Sequence, residues 1–281
     1  MICVKNLSFS YTKKPYIENT SFEVRSGEIF GFLGPSGAGK STLQKILTGL
    51  LTNYSGNVLV NGEEVKSHNN HFYENIGVDF EFPSLYEKLT ARENLEYFVS
   101  LYRKRRDIDD LLSRVGLQND SEKKVSDYSK GMKSRLNFIK ALLHDPNILF
   151  LDEPTSGLDP SNARVMKDMI LEEKAKGKTI LLTTHNMYDA TELCDRVAFI
   201  VDGKIKALDT PHNLIMRRGA SKLVYTYTDN GSERKAEVSL GQTAEDETLI
   251  RLIQTSGLTS IHSSEPTLND IFVELTGRHL Q

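Results

Sequence analysis

Along the first quarter of the chain, apolar residues fall in short runs with the alternation of strands, so residues 2–9, 22–25 and 28–33 read as β. Residues 58–60 and 63–65 flank Asn61-Gly62, a pair that tolerates positive φ at both positions and predicts a type I′ hairpin. Between 87 and 116 the pattern turns helical and polar, and it stops at a glycine. A further helix is predicted from about Ser129, because Met132, Leu136, Ile139 and Leu143 stand at i, i+4, i+7 and i+11 and form a core-facing stripe. Two almost wholly apolar runs follow, 148–151 and 179–183, which fit strands covered on both faces. The segment 161–176 between them reads as a helix with Pro160 in its first turn and Gly177 at its end. Strand, helix and strand in this order make a right-handed parallel crossover.

After about residue 211 the texture changes. Residues 222–228 and 234–240 flank Asp229-Asn230-Gly231 as a hairpin, a helix is expected at 247–254, and Thr267-Leu268-Asn269-Asp270 has the form of a capping box for a last helix ending near Leu275. This end is expected to be a small α+β domain, which divides the chain into 1–215 and 216–281. At 281 residues the chain is long for one compact domain and suits a large one with a small one beside it.

Composition excludes more than it assigns. With 38% hydrophobic and 26% charged residues the chain has the balance of a soluble globular protein. A net charge of −3 provides no basic field for a nucleic-acid backbone, and Arg103-Lys104-Arg105-Arg106 reads as a solvated helix end. Cys3 and Cys194 form no CxxC pair, which fits free thiols in a reducing compartment. No apolar run reaches membrane-spanning length and no signal-type segment opens the chain, so a cytosolic location is expected.

The strongest chemical signal is Gly34-Pro35-Ser36-Gly37-Ala38-Gly39-Lys40-Ser41, which fits GxxxxGK[ST] and lies between the strand 28–33 and a helical run opened by Thr42. Its glycines let backbone N–H groups curl around a phosphate, the helix N-terminus adds positive potential, Lys40 supplies a point charge, and the Ser41 hydroxyl suits Mg²⁺. The apolar run Ile148-Leu149-Phe150-Leu151 then delivers Asp152 and Glu153 to its C-terminal end, where α/β ligand sites form. Asp152 is expected to hold Mg²⁺ through water, and Glu153 to polarise the attacking water as general base.

Tyr128-Ser129-Lys130-Gly131-Met132-Lys133, just upstream of "ILFLDEPTSGLDP" and followed by His185 in "LLTTHN", resembles the ATP-binding-cassette ATPase family. The likeness covers residues 1 to about 215, and "PTLNDIFVELTG" near the end resembles the close of drug- and antibiotic-exporter ATPase subunits. The resemblance implies an α/β P-loop NTPase core with an antiparallel β subdomain and a helical subdomain at about 83–145, binding ATP and Mg²⁺. It implies adenine stacking by Tyr11 and a γ-phosphate contact by His185. The family signature LSGGQ stands here as Tyr128 to Met132, of which Ser129 and Gly131 keep the hydroxyl and the open backbone N–H. In the family these address ATP on the opposite subunit, so one chain carries two half-sites. Asp159 lies in the loop that crosses that seam and also suits an ordinary helix cap.

The same resemblance sets Glu81 at the family's glutamine position, between Ile76-Gly77 and Pro83-Ser84-Leu85, near metal and attacking water, while Asp79 has no family role and is read as loop polarity. It implies as partners a second cassette, identical or not, with ATP at the interface, and an integral membrane permease. The permease would dock on the segment 83–127, where Leu85, Tyr86 and Leu89 are candidate contacts, and the chain would be peripheral on the inner face of the membrane. The rival is a soluble cassette ATPase acting on ribosomes or DNA; such proteins join two cassettes or insert a coiled coil, and one cassette with no heptad arm stands here. A third reading, a slow nucleotide-dependent regulator, hinges on Glu81.

Overall fold

The structure, a computed structural model, describes residues 1–217, 222–229 and 231–277. They group into two compact units, Met1–Leu208 and a second that begins at Asp209.

In the first unit, β1 (Ile2–Phe9) pairs antiparallel with β2 (Ile17–Val24), which reaches further upstream than the predicted run 22–25. Then come β3 (Ile29–Leu33), buried at all of its residues, and α1 (Lys40–Leu47). Strands β4 (Ser55–Val60) and β5 (Glu63–Glu64) form the predicted hairpin, with Asn61 and Gly62 at φ 53° and 83° as a type I′ turn requires. These strands complete a four-stranded sheet in the order β2-β1-β4-β5. Next along the chain are α2 (Asn70–Asn75) and β6 (Ile76–Asp79). The helical stretch expected over 87–116 is two helices, α3 (Ala91–Ser100) and α4 (Ile108–Arg114). Each has its own start signal: Thr90 and Glu93 form a capping box, and the Asp107 carboxylate accepts from Asp110 N at 2.9 Å.

Helix α5 (Lys130–Leu142) buries Leu136 and Ile139 of the predicted stripe. Strand β7 (Ile148–Asp152), α6 (Pro160–Ala175) and β8 (Thr179–Thr184) make the expected crossover, with β7 and β8 parallel neighbours. Helix α7 (Met187–Leu193) leads to β9 (Arg196–Val201) and β10 (Lys204–Asp209). The six-stranded sheet runs β10-β9-β3-β8-β7-β6, and β9, β3, β8, β7 and β6 are parallel to their neighbours in turn. That topology decides where the site lies. Residues following β3, β6, β7 and β8 all emerge at one edge of the sheet, whatever their separation in sequence.

The second unit contains α8 (Pro211–Met216), β11 (Lys222–Asp229), β12 (Ser232–Ser239), α9 (Glu247–Gln254), β13 (Leu258–Ser264) and α10 (Leu268–Thr276). Its sheet is antiparallel in the order β12-β11-β13, and Tyr225, Leu249 and Leu252 form its core. The hairpin, α9 and the Thr267/Asp270 capping box stand as the pattern predicts; Asn230 of the expected turn lies outside the described residues. Strand β13, which sequence reasoning did not single out, completes the sheet, and α8 falls in this unit rather than in the first.

Candidate nucleotide site

The loop after β3 is shaped by residues without side chains. A Cβ on Gly34 would lie 2.2 Å from the Ile200 carbonyl oxygen of β9, so only glycine allows so close an approach. Gly39, the N-cap of α1, sits at φ 109°, which a residue with a Cβ rarely adopts. Lys40 opens α1, is buried, and donates from Nζ to the carbonyl oxygens of Gly34 at 2.6 Å and Pro35 at 3.2 Å. Burial lowers the pKa of its ammonium, and the carboxylates of Glu153, Asp152 and Glu81 oppose that shift.

At the end of β7, Asp152 is 5% exposed and accepts a hydrogen bond from the Thr183 hydroxyl of β8. Glu153 follows in a left-handed backbone conformation, φ 53°, held by its N–H on the Thr183 carbonyl at 3.0 Å and its carbonyl on Ser156 N at 3.0 Å. Its carboxylate oxygens lie 2.9 Å from His185 Nδ1 and 3.3 Å from the donating Thr184 hydroxyl. The acid is thus oriented from two sides by the end of β8.

A cavity of about 240 Å³ is lined by Ser36, Gly37, Gly39, Lys40, Ser41, Thr42, Glu81, Asp152, Glu153 and His185 together with Tyr16. Gly34, Pro35 and Ala38 form the turn behind it. One ammonium, the three aliphatic hydroxyls of Ser36, Ser41 and Thr42, and three carboxylates around a glycine-rich helix N-terminus suit both ends of a nucleotide–metal pair: backbone N–H groups and Lys40 for phosphate, Ser41, Asp152 and Glu81 as hard oxygen donors for Mg²⁺. The chain fits the group that its motifs imply.

Other expected residues stand apart from this cavity. Ser129 is exposed and caps α5, accepting from Met132 N at 3.2 Å, and Gly131 packs near Leu158. Asp159 spends both carboxylate oxygens on its own helix, accepting from Ser161 N and Asn162 N at 3.1 Å each and from Asn162 Nδ2 at 2.5 Å. Those bonds hold its pKa below the usual carboxylate value. Tyr11 is 57% exposed; its ring packs edge-on to Phe9 and Tyr16, and its hydroxyl is 3.0 Å from Thr42 Oγ1.

Three features escaped the sequence reading. Tyr16 lines the cavity and donates to the Gly37 carbonyl at 2.8 Å; its place five residues after Tyr11 was the available signal. Thr183 and Thr184, visible only as the polar end of an apolar run, orient Asp152 and Glu153. Asp79 is not loop polarity. It is 4% exposed at the end of β6, bonded to the Asn137 amide, and burial pushes its pKa up to about 7.

A glycine-rich strand-to-helix loop beside two acids on a parallel strand defines a P-loop nucleotide-binding protein. Within that class, residues 17–156 match the ABC transporter family model. The chain is 49% identical, over its whole length and 94% of the relative's, to the fluoroquinolones export ATP-binding protein of Mycobacterium tuberculosis, strain CDC 1551 / Oshkosh. It is 38% identical, again over its whole length and 89% of the relative's, to the Nod factor export ATP-binding protein I of Rhizobium meliloti. A solved ATP-binding subunit of an ABC transporter superposes with a TM-score of 0.73 at 32% identity, covering 78% of this chain and 93% of that one. The chain belongs to the ABC transporter family, as an ATP-binding protein.

Proposed function

We propose that this chain is the ATP-hydrolysing subunit of a small-molecule exporter, coupled to a separate membrane-spanning permease. The observation that carries the ATPase reading is the convergence of Lys40, Ser41, Asp152, Glu153 and His185 on one cavity, while Ser129, which would complete a phosphate site, is exposed elsewhere on the same chain. Two chains facing head to tail would bring the Ser129 hydroxyl and the Gly131 N–H of one to the γ-phosphate held by the other. The export reading rests on whole-length similarity to two proteins named for export. No helix among the described residues is long and apolar enough to cross a membrane, which leaves translocation to another subunit.

Lys40 and the loop N–H groups hold the phosphates of ATP, while Ser41, Asp152 and Glu81 would hold Mg²⁺. The ion supplies charge neutralisation on the phosphate oxygens. Glu153 takes a proton from water as its oxygen attacks the γ-phosphorus; the bond to the bridging oxygen breaks, and ADP leaves with the electron pair. His185 fixes the Glu153 carboxylate. Exposed Phe82 and Tyr86, with half-buried Leu85 and Leu89 beside them, give the permease an apolar surface directly downstream of Glu81.

The test is reconstitution in vesicles with a copurifying membrane subunit. Stimulated ATP hydrolysis and ATP-dependent drug accumulation in inside-out vesicles are expected. Co-sedimentation with ribosomes, with no membrane subunit retained, would overturn the export reading.

A further inference from the structure

One face of α5 lies along the backbone of β6. His144 Nε2, just past the helix, is 2.9 Å from the Ile76 carbonyl oxygen. Gly77 sits so tightly that a Cβ there would fall 2.2 Å from the Ala141 carbonyl oxygen. Asn137 Nδ2 donates to the Asp79 carboxylate and, at 3.1 Å, to the Phe80 carbonyl, and Lys140 Nζ donates to the Ser84 carbonyl at 3.0 Å. Positions 137, 140, 141 and 144 share one helical face by their spacing. On the β6 side every tie is made by backbone except one, the Asp79 side chain.

That carboxylate is an odd choice for packing alone. Asp79 and Asn137 are 4% and 1% exposed, and burying an ionisable group costs stability that an apolar residue would not. Asn137 Oδ1 is buried without a hydrogen-bond partner, so its amide serves here through its donors. The bond lies between two parts of the proposed machinery. Ser129 caps the start of α5, and Glu81 is two residues beyond Asp79.

We infer that Asp79 is a positioning residue: through Asn137 it locks α5 to β6, so that Glu81 at this chain's nucleotide and Ser129, offered to the other chain's nucleotide, move as one piece. The inference rests on the proposed paired-cassette reading. In it, any push delivered to residues 81–85 reaches the signature end of α5 without slippage, and a loosened joint leaves phosphate binding intact while spoiling turnover.

The test uses the full chain with Asp79→Leu, Asp79→Asn and Asn137→Leu. Nucleotide affinity is read with a fluorescent ATP analogue, kcat and KM from steady-state hydrolysis, and the joint itself from amide hydrogen exchange. For Asp79→Leu, kcat is expected to fall about tenfold while KM and nucleotide affinity stay within about twofold. Exchange should quicken together in residues 76–85 and 129–142, and residues 40–47 should not change. Asn137→Leu should reproduce this pattern and stands in if Asp79→Leu does not fold. Asp79→Asn keeps the acceptor oxygen and should behave as wild type in every readout. The inference is overturned by a wild-type kcat in both leucine variants, by exchange that does not change in those two segments, or by an asparagine variant as impaired as the leucine one. Absence of hydrolysis in the wild type would instead strike the proposed function, and exchange would still decide whether the joint exists.

Discussion

The phosphate loop and the signature segment are both glycine-containing helix starts, yet the fold treats them in opposite ways. Around Lys40 everything needed to hold phosphate is gathered from β3, β6, β7 and β8 of one chain, and the lysine itself is buried. Around Ser129 the helix start is exposed, and its hydroxyl is occupied by its own cap. On the proposed paired-cassette reading, the difference teaches that the chain holds one well-built half of a site and, separately, the half that it would offer to another cassette. Packing energy protects the first half. The second is held from both sides, by α5 with its contacts along β6 and by the buried Tyr128 just before it, whose hydroxyl donates to the Asp120 carbonyl at 2.8 Å.

The largest expected effect comes from removing the base. Glu153→Gln should lower kcat by ~10³-fold and leave ATP affinity nearly unchanged, as steady-state hydrolysis and equilibrium binding would report. Losing affinity as strongly as turnover would mean that Glu153 belongs to the cradle and not to the chemistry.

The comparison itself is tested by Ser129→Arg. A bulky cation at the exposed cap should reduce turnover by ~10²-fold, with single-chain nucleotide binding unaffected. Mixing this variant with Lys40→Ala should restore part of the activity, because a mixed pair has one intact cradle facing one intact signature. No recovery on mixing would argue that each chain works alone.

A third variant loosens the helical region and spares the cradle. Glu173 of α6 has a fully buried side chain, and it bonds Arg106 at 2.8 Å, Lys176 at 2.7 Å and Lys178 at 2.9 Å. Burial alone would raise its pKa; the three cations overcome that and bring it down to about 2. A folded-state value below the unfolded one stabilises the protein above the unfolded pKa, and that contribution is lost as pH falls from about 4.5 toward 2. Glu173→Gln should therefore cost ~2 kcal/mol at pH 7, or roughly 6 °C in Tm, and progressively less in acid, measured by thermal melts across pH.

The smallest effect is expected at Glu81. An extra carboxylate about 5 Å from a phosphate charge costs roughly 3 kcal/mol at an effective dielectric near 20, before a metal ion offsets part of it. Glu81→Gln should change kcat by about two- to fivefold, with the permease present, and leave binding in place. Unchanged turnover and transport would remove Glu81 from the machinery.

Much of the fold could be read in advance, and for local reasons. The Asn61-Gly62 turn, the Thr267/Asp270 capping box and the stop of the second helix at Gly116 depend on conformational preferences of a few adjacent residues. The break at 101–107 was missed because its signal is a second helix cap, Asp107, inside a continuous polar helical pattern. Strand β13 was missed because Leu258 and Ile261 are too few apolar positions to stand out from a polar run.

For the site, the sequence by itself determined the phosphate loop and the acid pair at the end of β7, since the motif's spacing and an apolar strand are properties of contiguous residues. Only the tertiary structure decided that Asp79 is buried, that Glu153 is turned into left-handed backbone between Thr184 and His185, and that α5 is bonded along β6. Each of those depends on which strand end or helix face lies opposite, and parallel strands are joined by crossovers long enough that no local pattern records their neighbours.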